Sequence, residues 1–437
     1  MLAFIHLSDI HFNKYSGDRY DLDEDLRNEL LRDVARNYAK HIPKADGILI
    51  CGDVAFSGKQ EQYNVATNFL KQLCAQVRLD ETEVFCVPGN HDVDQSIASE
   101  ESGLWNLQNT LETMEDQGKF DEQVAWIMRG AKSKELFAKP LESYTEHFAN
   151  QYSCYMSDLL TWTHDFELDE RYSLRLFGIN STLISNADDH AAKWEMTQRP
   201  MRLSSLQVPM NIDGVVYLTL CHHPPEHWND PDKALARLMD DRVSVQLYGH
   251  KHLQKIIHRG RTLIIGSGAT HPSRLESGWL PRYNWLTIDV VPEKDELRVV
   301  VYPRVYRDGR FVADCETGEG MGFVTYNLQL NRPSDAPKIG KTLEMVGRTP
   351  EKDEPAKIEN IARQRRFVYD LMNLPDLSRN RLLREFSLLE KEDDGKHLSE
   401  LIPRILARAE SKGCSDALFK KTSEILYIGG IKYVERL

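Results

Sequence analysis

The chain has 437 residues, more than one ordinary domain holds, so we expect two or three domains. Hydrophobic residues make up 41% and charged residues 28%, a composition that excludes a disordered, collagen-like or coiled-coil chain. The formal net charge of −12 excludes a basic nucleic-acid footprint over the whole surface, although it allows a local positive groove.

Strand-like and helix-like patterns alternate at the start of the chain. AFIHLSDIH (3–11) predicts a strand, apolar residues at helical spacing predict a helix over 22–40, and GILICGDV (47–54) predicts a buried strand. A second helical pattern covers 63–77, and EVFCVPGNHD (83–92) predicts a third strand that runs into a glycine loop. This alternation implies parallel strand pairing in a layered α/β fold.

The pattern changes in the middle of the chain. Helical stretches with scattered aromatic residues predict a helical insertion over about 95–170, and seven strand-like runs follow it. The later runs have short connections, which indicates antiparallel pairing, and two facing sheets would account for both halves. We therefore expect one domain over 1–330. Residues 331–355 are polar with four prolines and predict a linker, and 356–437 predict a small all-α domain.

Cysteine usage and hydropathy indicate the compartment. The seven cysteines form no CxxC pair, and Cys51, Cys86 and Cys221 lie in strand-like runs that favour buried thiols. No apolar run reaches the roughly 18 residues that span a bilayer, and the first residues show no basic leader or small-residue cleavage site. We expect a reduced, cytoplasmic protein without disulfides, secretory signal or membrane partner.

Polar residues suited to metal binding follow five of the predicted strands. In chain order they are Asp9 and His11 (DxH), Asp53 (GD), Asn90, His91 and Asp92 (GNHD), His222, and His250 and His252 (GHxH). Each motif alone is common in loops, but ligand groups converge where the strands of an open α/β sheet end. Carboxylate, imidazole and amide groups together favour Mn, Fe or Zn over Mg or Ca. The set suits two divalent metal ions, which the single carboxylate of Asp53 is able to bridge.

This ordered set resembles the signature motifs of the calcineurin-like metallophosphoesterase family over about residues 1–305. The resemblance implies a four-layer α/β/β/α sandwich with two metal ions. It also implies two sets of four metal ligands that share one carboxylate: Asp9, His11, Asp53 and His252, and Asp53, Asn90, His222 and His250. His91 is then expected to be a catalyst that is not a ligand, protonating the leaving alkoxide or stabilising the transition state. Asp92 either orients His91 or caps the following helix.

The substrate is less clearly indicated, because this family contains protein phosphatases, nucleotidases, cyclic-nucleotide phosphodiesterases and nucleases. GDVAFSG (52–58) and GNHD depart from the GDxVDRG and GNHE segments of protein Ser/Thr phosphatases. GDVAFSG and HHPP (222–225) are more similar to cyclic-nucleotide phosphodiesterases and related bacterial proteins. A nuclease needs a positive path for phosphates, and basic residues within 199–202, 251–261 and 304–307 are the candidates.

The C-terminal segment has a different character. Its run RLLREFSLLEKEDDGKHLSELIPRILARAESKG resembles small helical adaptor domains appended to effectors of bacterial conflict systems, which pair with a matching domain on an NTPase or another effector. A helical cap or a homo-oligomer contact is the alternative. We expect a dinuclear-metal phosphodiester hydrolase, a nuclease acting on DNA or RNA in bacterial defence. The alternatives are a cyclic-nucleotide or other small-molecule phosphodiesterase, and a non-catalytic interaction subunit.

Overall fold

The computed structural model describes residues 1–437 except 14, 18, 43, 155, 157, 191–198, 275–278, 332–354, 394 and 435–437. The described residues form two compact units: 1–149 with 154–331, and 150–153 with the described part of 332–437. Apart from its first and last residues, the predicted linker over 331–355 lies outside the described residues, so it stays a prediction.

The described residues form thirteen strands and twelve α-helices. The strands are β1 (Leu2–Leu7), β2 (Gly47–Cys51), β3 (Val84–Val87), β4 (Thr161–Glu167), β5 (Ser173–Ile179), β6 (Val215–Cys221), β7 (Val245–Tyr248), β8 (Lys255–Arg259), β9 (Thr262–Gly266), β10 (Arg282–Val291), β11 (Glu296–Arg307), β12 (Arg310–Ala313) and β13 (Val324–Gln329). The helices are α1 (Glu24–His41), α2 (Gln60–Gln76), α3 (Gln95–Glu100), α4 (Ser102–Thr113), α5 (Gln117–Arg129), α6 (Ala131–Ala138), α7 (Glu142–His147), α8 (Ala234–Arg242), α9 (Pro355–Met372), α10 (Asp376–Glu385), α11 (Leu398–Ser411) and α12 (Ser415–Val434).

The strands form two mixed sheets. One has the order β12-β11-β10-β1-β2-β3, with β13 also paired to β11, and the other has the order β4-β5-β6-β7-β9-β8. β1, β2 and β3 are parallel, as are β5, β6, β7 and β9. The remaining pairs are antiparallel. Both sheets therefore have a parallel centre, and the antiparallel strands of the later half are divided between them.

Aromatic side chains fill the space between the sheets. Phe166 of β4 has its ring centroid 5.4 Å from that of Phe4 and 5.7 Å from that of Phe85, which belong to the other sheet. Helices α1 and α2 pack together beside the first sheet, and Leu235 and Met239 of α8 pack against the second. The layers are α/β/β/α, and the predicted fold class is confirmed.

The helical insertion is shorter than predicted. Residues 95–147 contain the five helices α3 to α7, but 161–167 form strand β4 instead of continuing the helical pattern to about 170. β4 pairs antiparallel with β5. Every second side chain of β4, namely Trp162, His164 and Phe166, faces the ring of Phe85. This period of two is the spacing of a strand and explains the correction.

The second unit is helical, as expected for the end of the chain. Phe367, Leu371, Leu382, Ile402 and Ile405 belong to its buried apolar core, which joins helices α9, α10 and α11. Among the described residues of the whole chain, no helix combines the length and the apolar character needed to cross a membrane.

Candidate metal centre

The site lies at the carboxyl ends of parallel strands. The seven side chains predicted as ligands occur just after five strands: Asp9 and His11 after β1, Asp53 after β2, Asn90 after β3, His222 after β6, and His250 and His252 after β7. Backbone hydrogen bonds join these loops, since the N–H of Asp9 donates to the Gly52 carbonyl at 3.1 Å and the N–H of Gly249 donates to the His222 carbonyl at 3.0 Å. The structure therefore brings the five motifs together at one edge of the two sheets.

One group of ligand atoms surrounds the amide oxygen of Asn90. His222 Nε2 lies 3.1 Å from Asn90 Oδ1 and 3.3 Å from Asp53 Oδ2, and His250 Nδ1 lies 3.1 Å from the same Asn90 oxygen. Neighbouring ligands on a cation with bonds of about 2.1 Å and right-angle geometry are themselves about 3.0 Å apart. The donor set and its spacing fit a divalent metal ion.

A second group lies on the other side of Asp53. His252 Nε2 is 3.3 Å from Asp9 Oδ1 and 3.5 Å from His11 Nε2. His11 Nε2 is 3.9 Å from Asp53 Oδ2, the oxygen that also faces His222. Asp53 is thus the carboxylate common to both groups, which is the arrangement that a bridging ligand requires.

The tautomer of His222 is set by its backbone partner. His222 Nδ1 lies 2.8 Å from the Cys51 carbonyl oxygen, so Nδ1 carries the donated proton. The lone pair of neutral His222 is then on Nε2, facing Asp53 and Asn90. Burial alone would lower the pKa of His222, but the Asp53 carboxylate raises it to about 9. Without a cation, a proton on Nε2 relieves the repulsion between these acceptors, so a metal ion must displace that proton.

Three of the other predicted ligands are already in the forms that bind cations. Burial lowers the pKa of His11 to about 3 and that of His250 well below its usual value, so both imidazoles are neutral. Burial opposes ionisation of Asp53, but the neighbouring His222 and His91 outweigh it and hold the pKa of Asp53 well below its usual range. Neutral imidazole and ionised carboxylate are the ligand forms required for divalent metals.

The backbone of the site is strained. Five of the seven ligand residues have left-handed φ angles: Asp9 (53°), His11 (52°), Asp53 (53°), His250 (68°) and His252 (54°). Such a conformation costs a non-glycine residue of the order of 1–3 kcal/mol and clusters at functional sites. The strain is retained because it aims these side chains at one another.

Glycines in the same loops allow the close approach. A Cβ atom on Gly89 would lie 2.1 Å from Asp53 Oδ1, and one on Gly249 would lie 1.9 Å from Ser8 Oγ. Gly52 has a φ of +83°, and a Cβ there would lie 2.6 Å from His222 Nδ1. The glycine before Asp53, Asn90 and His250 in the sequence motifs is therefore a steric requirement of the site.

His91 lies beside the second group of ligands. Its ring centroid is 4.8 Å from that of His11, and its backbone N–H donates to Asp53 Oδ1 at 2.8 Å. Its Nδ1 lies 2.8 Å from the Phe56 carbonyl oxygen, so Nδ1–H donates and the other nitrogen, Nε2, is the one able to exchange a proton. The carbonyl of Phe56 therefore holds the His91 ring in place, a role that the sequence motifs do not indicate.

Asp92 does neither of the things predicted for it. Its buried carboxylate accepts hydrogen bonds from the backbone N–H groups of Val54, Ala55 and Gly89 and from the Tyr63 hydroxyl, at 2.9–3.2 Å. These bonds fix the loop after β2 to the loop after β3. Asp92 is therefore a structural brace for the ligand loops, which corrects its predicted place in the catalytic pair.

Two other residues, Phe56 and Asp94, have the two roles expected of Asp92. The carbonyl of Phe56 orients His91. The carboxylate of Asp94 caps α3 by accepting from the Ser96 N–H at 3.1 Å. Consecutive residues point in different directions, so adjacency to His91 in the sequence does not place the Asp92 carboxylate beside the imidazole ring.

Further histidines surround the site. His223 Nδ1 lies 2.7 Å from Ser181 Oγ, and the rings of His223 and His227 lie 4.4 and 4.7 Å from that of His250. His271 Nδ1 donates to the Ile10 carbonyl at 2.9 Å, which ties the loop after β9 to the loop after β1. In the sequence, His223 and His227 follow His222 closely and His271 follows the run that forms β9, but no motif marks these contacts.

Most arginines of the predicted phosphate path are engaged elsewhere. Arg199 is buried and ion-paired with Glu112 and Asp189, and Arg304 is paired with Asp33. Arg259 is paired with Asp240 at 3.0 Å, at the end of β8 remote from the ligands. The exposed Lys255 is different, because it pairs in register with Gly266 at the carboxyl end of β9, the edge that carries the ligands.

Two facing mixed sheets with this cluster at their carboxyl edge define a metallophosphoesterase. A family model described as calcineurin-like phosphoesterase matches residues 2–254, and the chain belongs to that family. The family uses divalent metals, and the clusters of His and Asp side chains able to hold an ion include Asp9–His11–His252 and Asp9–Asp53–His222. The predicted membership of the metallophosphoesterase family is therefore confirmed.

Several solved structures are similar to this chain at low identity. Wild-type Vps29 from Entamoeba histolytica, complexed with Zn²⁺, is 12% identical, with 75% of this chain and 99% of that chain covered and a TM-score of 0.31. A putative 5′-nucleotidase from Staphylococcus aureus is 12% identical, with 67% and 51% covered and a TM-score of 0.31. GAP50 of Plasmodium is 11% identical, with 76% and 90% covered and a TM-score of 0.36. Among curated proteins, none matches this sequence.

Proposed function

We propose that this chain is a two-metal phosphodiester hydrolase that cleaves nucleic acid. The observation that carries the proposal is the convergence of two ligand groups on the shared carboxylate of Asp53. Asp9, His11, Asp53 and His252 would hold one ion, and Asp53, Asn90, His222 and His250 the other, with Mn, Fe or Zn suited to these donors. Bound divalent ions supply charge to the phosphoryl oxygens and lower the pKa of a coordinated water to about 7.

The protein's own part in the reaction is proton transfer. Protonated His91 keeps its Nδ1–H on the Phe56 carbonyl, at a distance of 2.8 Å, and delivers the proton on Nε2 to the leaving alkoxide oxygen. Because the backbone N–H of His91 is bonded to Asp53, the donor keeps a fixed distance from the ligand carboxylate. Orienting a proton donor in this way contributes roughly 10²–10⁴-fold to the rate.

Nucleic acid is supported as the substrate by basic residues that remain at the ligand edge. Lys251 lies between two ligands in the loop after β7, and the exposed Lys255 begins β8 at the same edge. Hydrolysis of a cyclic nucleotide is the second candidate. It is favoured by the ion pairs of Arg199, Arg259 and Arg304 with acidic residues of the same chain, because these pairs neutralise part of the predicted positive path.

We further propose that the helical second unit recruits a protein partner, such as an NTPase, in a bacterial defence system. The unit has its own apolar core. The metal-capable clusters found among the described residues all belong to the first unit. Together with its resemblance to adaptor domains, these features support a role in binding rather than in catalysis.

The test is metal analysis of the purified chain together with cleavage of linear single- and double-stranded DNA, RNA and cyclic nucleotides with Mn²⁺. We expect cleavage of nucleic acid by the wild type, and His91→Gln should retain metal while its rate falls roughly 10²–10⁴-fold. His258→Gln is the matched control, since His258 is an exposed histidine on β8.

Each other outcome has a definite meaning. Hydrolysis of cyclic nucleotides alone would favour the second candidate. A chain that binds no metal and hydrolyses none of these substrates would instead be a non-catalytic interaction subunit. Loss of metal in His91→Gln would show that His91 is a ligand rather than a proton donor.

A further inference from the structure

A large apolar side chain is exposed next to the proposed proton donor. Phe56 is 53% exposed, and its ring centroid lies 5.4 Å from that of His91 and 6.3 Å from that of His11. A phenylalanine in this position does not contribute to the core. One face of the ring is therefore available to a ligand that already occupies the metal centre.

The backbone around Phe56 is fixed on both sides. Its N–H donates to the Phe12 carbonyl at 2.9 Å, and its carbonyl accepts from His91 Nδ1 at 2.8 Å. Ala55, the preceding residue, forms a β-bridge with Phe12. The exposed ring is thus attached to the same short segment that orients the imidazole, so the backbone that carries the ring is fixed relative to His91.

The surroundings of the ring favour a flat occupant. The imidazoles of His91 and His11 lie beside the Phe56 ring at interplanar angles of 41° and 72°. A lone aromatic face attracts planar π-systems through stacking, and every nucleobase has such a face. An alkyl chain would gain little from a single open ring.

We infer that Phe56 is a specificity-determining residue whose exposed ring stacks on the nucleobase adjacent to the cleaved phosphodiester. This inference rests on the proposed function and assigns the same site a base-binding element. It does not depend on sequence readout, because stacking is tolerant of base identity. The preferred substrates are therefore phosphodiesters that carry a base, in preference to those that lack one.

The test compares two phosphodiesters with the same leaving group: thymidine 5′-(p-nitrophenyl phosphate) and methyl p-nitrophenyl phosphate. The measured quantity is the ratio of kcat/KM for the two substrates, with Mn²⁺ present. Phe56→Leu removes the ring and keeps apolar bulk and the backbone carbonyl. We expect this variant to lower the preference for the thymidine ester roughly 5- to 100-fold, the range given by base–aromatic stacking. Phe56→Tyr retains a π face and should restore most of the preference.

Met210→Ala is the control, because Met210 is another exposed apolar residue and lies before β6, at the end of that strand opposite His222. Its ratio should equal that of the wild type. An unchanged ratio in Phe56→Leu, or an equal loss on both substrates, would overturn the inference and leave the proposed function intact. If the metal-loaded wild type hydrolysed neither ester nor any nucleic acid, the proposed function itself would fail.

Discussion

Buried carboxylates have different partners at the metal edge of the first unit and in the helical second unit. At the metal edge, Asp53 and Asn90 oxygens face histidine nitrogens at 3.1–3.3 Å, with no buried arginine or lysine among their described contacts. In the helical unit, the buried Asp393 carboxylate is ion-paired with Arg408. The Asp393 carboxylate already has a cationic partner in the chain, whereas a site that holds acceptor atoms against one another is suited to an added cation.

Backbone strain separates the two regions in the same way. Five ligand residues at the metal edge have positive φ. In the described part of the helical unit, Ser153 and Ser387 are the non-glycine residues with positive φ, while Gly395 and Gly413 take this conformation in turns next to helices. At the metal edge the left-handed angles fall on residues predicted as ligands, where the geometry of the site requires them.

The largest loss of activity is expected when the carboxylate shared by the two ligand groups is removed. Asp53→Asn keeps the side-chain shape but removes the charge that faces both ligand groups. Changes in residues that merely orient ligands cost about 10- to 100-fold in metal affinity or activity. We therefore expect more than about a 10²-fold loss of phosphodiester hydrolysis, with loss of bound metal measured by elemental analysis.

The matched variant for Asp53→Asn is Asp393→Asn, a buried carboxylate of the helical unit. It should destabilise that unit, because Arg408 loses one of its two carboxylate partners and keeps only Glu390, while metal content and hydrolysis of a small phosphodiester stay as in the wild type. Full metal occupancy in Asp53→Asn would contradict the bridging role.

A second prediction concerns the close approach at Gly89. Gly89→Ala places a methyl group 2.1 Å from Asp53 Oδ1, so the ligand loops must separate. Misplacement by about 1 Å costs roughly 10²-fold in rate, and we expect a loss of that size in kcat. Gly103→Ala is the control, since its added Cβ would meet atoms no closer than 3.7 Å within α4 and should add about 0.5–1 kcal/mol to helix stability. Equal kinetics in the two variants would contradict the steric argument.

The convergence of the ligand loops could be predicted from the sequence because each motif is contiguous. Asp9 with His11, and His250 with His252, follow apolar runs that end at the same sheet edge. Their role as ligands remains a prediction. Long-range partners could not be predicted in this way. Phe56 precedes His91 by 35 residues, and the bond between them joins the loops after β2 and β3, which the Asp92 carboxylate also connects.

The expectations for residues 161–167 and for Asp92 were incorrect for the same reason, because both were based on local sequence patterns alone. The alternation over 161–167 is short and follows a long helical stretch, so its period of two was outweighed by its neighbours. Asp92 was assigned by adjacency to His91, although its partners are three backbone N–H groups and Tyr63. In both places the deciding contacts are with residues distant in the sequence.

A third prediction concerns the pH dependence of metal binding, which follows from the protonation of His222. In the metal-free site the pKa of His222 is raised to about 9, so below that pH a metal ion displaces one proton, while the neutral His11 and His250 release none. The association constant for Mn²⁺ should rise about tenfold per pH unit between roughly pH 6.5 and 8. Calorimetry in buffers of different ionisation enthalpy should detect the released proton. A pH-independent affinity without proton release would contradict the charged state of His222.

The smallest effect on activity is expected from the core of the helical unit. Ile405 is wholly buried there among apolar side chains from three helices, and Ile405→Ala should lower the free energy of unfolding of this unit by about 2–5 kcal/mol through loss of packing and cavity formation. Denaturant unfolding followed by circular dichroism measures that loss. Hydrolysis of methyl p-nitrophenyl phosphate should stay at the wild-type rate, because the proposed ligands and His91 all belong to the first unit. A parallel fall in hydrolysis would show that packing of the helical unit contributes to the metal edge, and the two regions would then share one function.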